Sequence, residues 1–419
     1  MDKSFRYDNI SHQFLIARHQ IGDFGLHLSL VRSFSWGDNF PVESPFFPGT
    51  PLAYHYYFDL LVGLLEKVGV RIDVAFNGLS ILFFSLLLYV IYRLPQIIFK
   101  KSKLLGMLSV ILFVFHSNLT FIDFLKEKGL SLYAISDLWR LPDYINKGPF
   151  DGSLISIFFT MNVYLNQRHL IAALAISLIA FLILIPMVTK HHKSPYRIII
   201  FLGLILGLVS RVHTLVFFSA AISILIFLIV FRRFRFIFLF FVPLTVVFFF
   251  HAKDILTQDL NHALFNIGFL SEKPFSILNF ASFWFANLGL AIFMAPVGFF
   301  LSNNKQKKIF LCFFSLFILA NILQFSYRID HNHSMLNLFI IIANFYIANT
   351  LLMLWKGKIK KIIFFFLLFL LTFSGIIDLM AVKNDFHYPL LDAPSNKFMQ
   401  WVKNNTKKKR YFSSKTRDS

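Results

Sequence analysis

The sequence predicts an all-α polytopic membrane protein of about ten transmembrane helices, preceded by an extracytoplasmic loop that carries amphipathic interface helices. Three observations carry this. Hydrophobic residues make up 57% of the chain, with 57 Phe among 419 residues, and the mean hydropathy is +0.66, which excludes an ordinary soluble domain. The apolar residues fall into successive runs that are long enough, or nearly so, to cross a hydrocarbon core of about 30 Å. The formal net charge is +20, yet the Lys and Arg sit in short clusters between those runs, where helix orientation explains them better than nucleic-acid binding does.

Residues 1–72 contain no span, because Arg18, His19, Asp23, His27 and Arg32 interrupt their most apolar part. Met1 to Val31 has no uninterrupted apolar core of the kind a signal peptide needs. Ile21 to Trp36 reads as a surface helix ended by Gly37, with Asp38 and Asn39 turning the chain. Pro41, Pro45, Pro48 and Pro51 then enforce an extended loop. A second amphipathic helix follows from Tyr54 to Val68, with Tyr57, Phe58, Leu61 and Leu65 on one side and His55, Asp59 and Glu66 toward the other.

Ten candidate spans come next: 74–93, 104–124, 169–189, 197–210, 213–231, 236–250, 279–301, 309–325, 335–355 and 362–381. Alternate connections are basic and contain no acid, from Arg93/Lys100/Lys101/Lys103 and Lys190/Lys193/Arg197 through Arg232/Arg233/Arg235 to Lys305/Lys307/Lys308 and Lys356/Lys358/Lys360/Lys361. These are the expected cytoplasmic loops, and His191 and His192 belong with them. The remaining connections hold Glu127, Asp137, Asp143, Asp151, Asp254, Asp259, Glu272 and Asp330, and are expected outside, with residues 1–72 and a tail from 382. The expected division is therefore 1–72, 73–381 and 382–419. Segment 197–210 is short, and Ser210-Arg211-Val212-His213 forms the tip of its hairpin with 213–231. The sole cysteine, Cys312, lies in an apolar run and can form no internal disulfide. No P-loop, dinucleotide fingerprint, H-E-x-x-H or C-x-x-C is present.

The chemistry-bearing residues concentrate at the outer level of this topology. Asp23 and His27 are four apart, so on a helix they share a face and can hold one metal ion or pass one proton; a wet surface helix has the same spacing. His55 and Asp59 repeat it, and two helices packed side by side would bring all four groups to one pocket. Arg168 and His169, in N-Q-R-H, sit where an outer loop enters a span. A cation there suits a phosphate partner or a snorkelling anchor. Arg211/His213 and Arg328/Asp330/His331/His333 occupy the same level.

The segments D-F-G-L-H-L-S-L-V-R-S-F-S-W-G-D-N-F-P from Asp23, P-F-F-P-G-T-P-L-A-Y-H-Y-Y-F-D from Pro45 and N-Q-R-H at 166–169, with the many-helix layout, resemble the GT-C superfamily of integral-membrane glycosyltransferases. In particular the chain looks like bacterial members near the dolichyl-phosphate-mannose protein mannosyltransferases. The resemblance implies an inner or plasma membrane enzyme with an extracytoplasmic active face and an acidic base in the first outer loop. It implies a polyprenyl-phosphate sugar donor and a lipid-linked, glycan or protein acceptor. Asp23 matches the acid. Arg168, Arg211 and Arg328 are then candidate phosphate partners, His55, Asp59 and His169 further substrate ligands, and His27 a ligand for a divalent metal ion. The family pattern also expects a spanning helix ahead of residue 1 and a longer soluble extension after the last span. A transporter or flippase for lipid-linked sugars, or an inactive truncated family member, are the alternatives. No nucleic-acid partner is expected.

Overall fold

The computed structural model describes residues 1–47, 49–129, 131–148, 151–189, 196–256 and 264–405. Pro48, Lys190, His191, His192, Lys193, Asp259 and the basic end of the tail lie outside the described residues. The chain forms two compact units, one of Met1–Leu79 with the segment from Phe386, the other of Ser80–Asp385.

The first unit begins with a feature an all-α reading does not contain. Strands β1 (Phe5–Asp8) and β2 (Gln13–Ala17) form an antiparallel pair, with Phe5 opposite Ile16. Helix α1 (Ile21–Ser35) follows, burying Phe24, Leu28, Leu30, Val31 and Phe34 on one side. It ends where expected: the Gly37 N–H donates to Arg32 O at 3.1 Å, and a Cβ on Gly37 would lie 2.7 Å from Ser33 O. Helix α2 (Tyr57–Lys67) packs against α1. It starts three residues later than the periodicity predicts, so His55 lies ahead of the helix and Asp59 falls in its first, buried turn. Contact is close at Gly63, where a Cβ would sit 2.9 Å from Phe34 Cβ and 3.0 Å from Val31 O. The opening turns of α3 (Ile72–Phe99) close the unit. There Asp73 accepts from the Tyr7 N–H at 2.9 Å, Asn77 donates to Phe5 O at 2.7 Å, and the Phe5 ring meets Phe14, Phe24 and Phe76.

The second unit is mostly helical, with one short antiparallel ladder between Leu264–Phe265 and Leu323–Gln324: the rest of α3, α4 (Lys103–Val114), α5 (Thr120–Lys128), α6 (Leu132–Trp139), α7 (Thr160–Asn166), α8 (Arg168–Thr189), α9 (Tyr196–Val209), α10 (Thr214–Val230), α11 (Phe234–Leu256), α12 (Ile277–Leu288), α13 (Ala291–Phe300), α14 (Asn304–Ala320), α15 (His333–Met353) and α16 (Lys358–Asn384). Among the described residues, four helices are long and apolar enough to cross a membrane: Ile72–Phe99, Arg168–Thr189, Ile329–Met353 and Lys358–Asn384. Three of the ten candidate spans are not continuous helices; the run 309–325 leaves its helix after Ala320 and ends at Leu323–Gln324, extended and paired antiparallel with Leu264–Phe265. The run 104–124 breaks after Val114 at His116-Ser117-Asn118, whose buried side chains mostly bond far along the chain: Ser117 Oγ donates to Leu371 O at 3.2 Å and Asn118 Nδ2 to Ala286 O at 2.9 Å, while Asn118 Oδ1 accepts from the N–H and Oγ1 of Thr120 at the start of α5. The run 279–301 bends by 93° between α12 and α13, at Gly289 with φ +52°. A break of this kind counts as one broken span or a re-entrant turn, giving five crossing elements at most among the long helices.

The tail beyond α16 returns to the first unit. Strand β3 (His387–Leu390) pairs antiparallel with β2, Ala17 opposite His387 and Phe14 opposite Leu390. A last helix, α17 (Lys397–Asn405), ends the described chain.

Candidate functional site

Within the first unit, α1 carries Asp23 in its first turn and His27 one turn later. Asp59, in the first turn of α2, points back at α1. His27 Nδ1 lies 2.9 Å from Asp59 Oδ2 and 3.2 Å from Oδ1, with the side chains only 4% and 1% exposed. The two i,i+4 pairs read from the sequence are thus rearranged: His27 pairs across the helix interface with Asp59, not along its own helix with Asp23. Asp23 remains half-buried one turn toward the N-terminus on the same face, and His55 stacks on Tyr54 at 3.9 Å.

Burial pulls the His27 imidazole toward its neutral form, but the charge of Asp59, its hydrogen bond and the charge of Asp23 outweigh that, so the His27 pKa is raised. Burial lifts the Asp59 carboxyl, and His27 opposes this. The pair is a buried contact in which the one Nδ1 of His27 faces both Asp59 oxygens, and it fixes the ring's orientation. It leaves the Asp23 carboxyl on a rigid helix, one turn from the His27 ring, an arrangement suited to accepting a proton from a hydroxyl.

A second charged group ties the unit together. Arg32 of α1 donates through Nε and Nη2 to Asp392 at 2.9 and 2.8 Å, and through Nη1 to Glu66 of α2. Burial raises the Glu66 carboxyl, with Ser35 and Arg32 pulling against it. Asp392 carried no signal in the sequence, because its partner is 360 residues away.

In the helical unit, the loop ends of several helices gather other predicted residues. Arg168, at the start of α8, is 1% exposed and donates from Nε to Leu165 O at 2.8 Å. The His169 ring lies parallel to His213 at 5.2 Å. His213 caps α10, accepting the Val216 N–H, and sits 3.3 Å from Ser334 Oγ. Arg211, in the turn before it, is 2% exposed. His333, which sequence reasoning noted only by level, bonds Asn337 at 3.0 Å and lies 3.4 Å from Gln167. Arg328 does not join this group: its side chain is 55% exposed and grips Asp330 at 2.7 and 3.0 Å.

One buried acid escaped the sequence reading. Asp378 lies inside an apolar run, in α16, and accepts from the Ile145 N–H at 3.1 Å and Asn146 Nδ2 at 2.7 Å. A lone acid in a hydrophobic run is the signal that marks such a position; here the bonds hold the 145–146 loop to the helix.

The metal expectation centres on His27. Its Nδ1 is engaged by Asp59, and the described residues of the first unit do not by themselves bring three His, Cys, Asp or Glu ligand atoms within 4.8 Å of one another. No step through a metal is derived.

A family model described as an uncharacterized membrane protein (DUF2298) matches residues 17–141, the stretch that holds Asp23, His27, His55 and Asp59. No curated protein matches the chain. The match and the long apolar helices make this a membrane protein.

Proposed function

We propose that the protein is an inverting membrane glycosyltransferase that moves a sugar from a polyprenyl-phosphate donor to an extracytoplasmic acceptor, with Asp23 as base. The observation that supports this most is the Asp23 carboxylate on α1, one turn above the buried His27–Asp59 pair. In the reaction, Asp23 takes the proton of the acceptor hydroxyl as its oxygen bonds the anomeric carbon. The bond from that carbon to the phosphate oxygen breaks, and the lipid phosphate leaves with the electron pair. His27 and Asp59 are positioning residues, holding the helix face and its charge. In the helical unit, the buried guanidinium groups of Arg168 and Arg211 beside the stacked imidazoles of His169 and His213 make a donor-rich setting suited to a phosphate. This reading takes up ten spans in alternation, an inner or plasma membrane location and an outer active face.

The 93° break between α12 and α13 favours a second reading, a transporter or flippase of lipid-linked sugars, since broken helices line substrate paths in such proteins. Reconstitution in proteoliposomes with a polyprenyl-phosphate donor labelled in its sugar separates the two. Transfer predicts label on a new acceptor and release of the unglycosylated lipid phosphate. Intact donor appearing in the opposite leaflet, with no free lipid phosphate, would mean transport.

A further inference from the structure

Helix α17 has no buried residue, although its sequence is sorted by face. At about 100° per residue, Phe398, Trp401 and Val402 form one apolar arc with Met399 at its edge, and Gln400 and Asn404 lie opposite. Lys397 and Lys403 fall at the two borders of that arc. Phe398 and Trp401 are 68% and 59% exposed. The helix is well started and tethered: Asn396 Oδ1 accepts from the N–H groups of Phe398 and Met399 at 2.9 and 3.1 Å. Lys403 donates to Trp36 O at 2.7 Å and lies 4.3 Å above the Trp36 ring. What the tether leaves uncovered is the aromatic arc.

Charge selects the occupant. Lys407, Lys408, Lys409 and Arg410 follow directly, and no acid lies between Asp392 and Asp418. Aromatic rings flanked by lysines, followed by a basic cluster, match the boundary between acyl chains and anionic headgroups, where the rings sink and the lysine stems reach outward. We propose that α17 is an interfacial anchor that lays Phe398, Trp401 and Val402 into an anionic lipid surface, with Lys397 on its headgroups. The inference rests on neither the proposed reaction nor its residues.

The test uses the full chain in nanodiscs, with Cys312→Ser and a fluorophore on Asn405→Cys, a position on the same arc. In phosphatidylcholine mixed with phosphatidylglycerol, lipids spin-labelled on the acyl chain quench the fluorophore. In pure phosphatidylcholine or at high salt the quenching falls. Lys397→Gln, a change at an exposed side chain, lowers the docked-to-undocked ratio roughly fivefold, and Trp401→Ser lowers it further. Quenching that is absent, or unaffected by phosphatidylglycerol and by Lys397→Gln, overturns the proposal. So does a blue-shifted but unquenched fluorophore, which would put protein over the helix.

Discussion

At the residue scale, the His27–Asp59 contact makes a pH-dependent contribution to stability whose direction is set. The His27 pKa in the fold stands above its ordinary value of 6.5. The pairing therefore stabilises fully below that value, and its contribution is lost as the pH rises through the raised one. Thermal melts taken from about pH 6 to about pH 9 should fall across this window for the wild type and flatten for Asp59→Asn. An unchanged slope in Asp59→Asn would remove the pair from the account. The predicted phosphate partners also divide at this scale. Arg168→Ala or Arg211→Ala should weaken binding of a polyprenyl phosphate roughly ten- to a hundredfold, the range for lost bonds to a charged group. Arg328→Ala should leave it nearly unchanged, because that side chain is exposed and held by Asp330; competition binding in detergent measures all three. The sequence supplied the residues here, but not their pairing. Spacing by four put Asp23 with His27 and His55 with Asp59, whereas the contact that forms depends on how α1 packs on α2, which no local periodicity contains.

At the scale of elements, two close approaches rest on glycine. A Cβ at Gly63 would press on Phe34 Cβ and Val31 O across the α1–α2 contact, and a Cβ at Gly203 would overlap Phe240 O where α9 meets α11. Backbone oxygens cannot rotate away, so Gly63→Ala and Gly203→Ala should each destabilise by about 1–3 kcal/mol, read as lower melting temperatures of the purified protein. Gly207 repeats the small-residue spacing four positions on, where a Cβ would lie 2.7 Å from Val247 Cβ and 3.0 Å from Leu244 O, the pattern by which membrane helices come close. Helices α8, α15 and α16 were legible because a long apolar run needs no tertiary information. The breaks at His116-Ser117-Asn118 and at Gly289 were hidden because window-averaged hydropathy passes over a few polar or flexible residues. The sheet was hidden for another reason: its strands are four or five residues long, and β3 pairs with β2 from the far end of the chain.

At the scale of the whole molecule, the β2–β3 ladder carries a constraint that hydropathy lacks. Residues 1–79 and the segment from Phe386 belong to one compact unit whose helices α1 and α2 are too short to span. The chain between must then cross the membrane an even number of times. Ten alternating segments meet that condition, and so do the four long helices alone. Cysteines placed at Ser11 and Asn404 in a Cys312→Ser background should react with an impermeant reagent from the same side of sealed vesicles; labelling from opposite sides would break the topology. The central claim is that Asp23 removes the acceptor proton, and the most direct measurement is the single-turnover rate of sugar transfer from a polyprenyl-phosphate donor by Asp23→Asn. The account predicts a loss of about 10²- to 10⁴-fold with donor binding retained, and transfer by Asp23→Asn at the wild-type rate would contradict it.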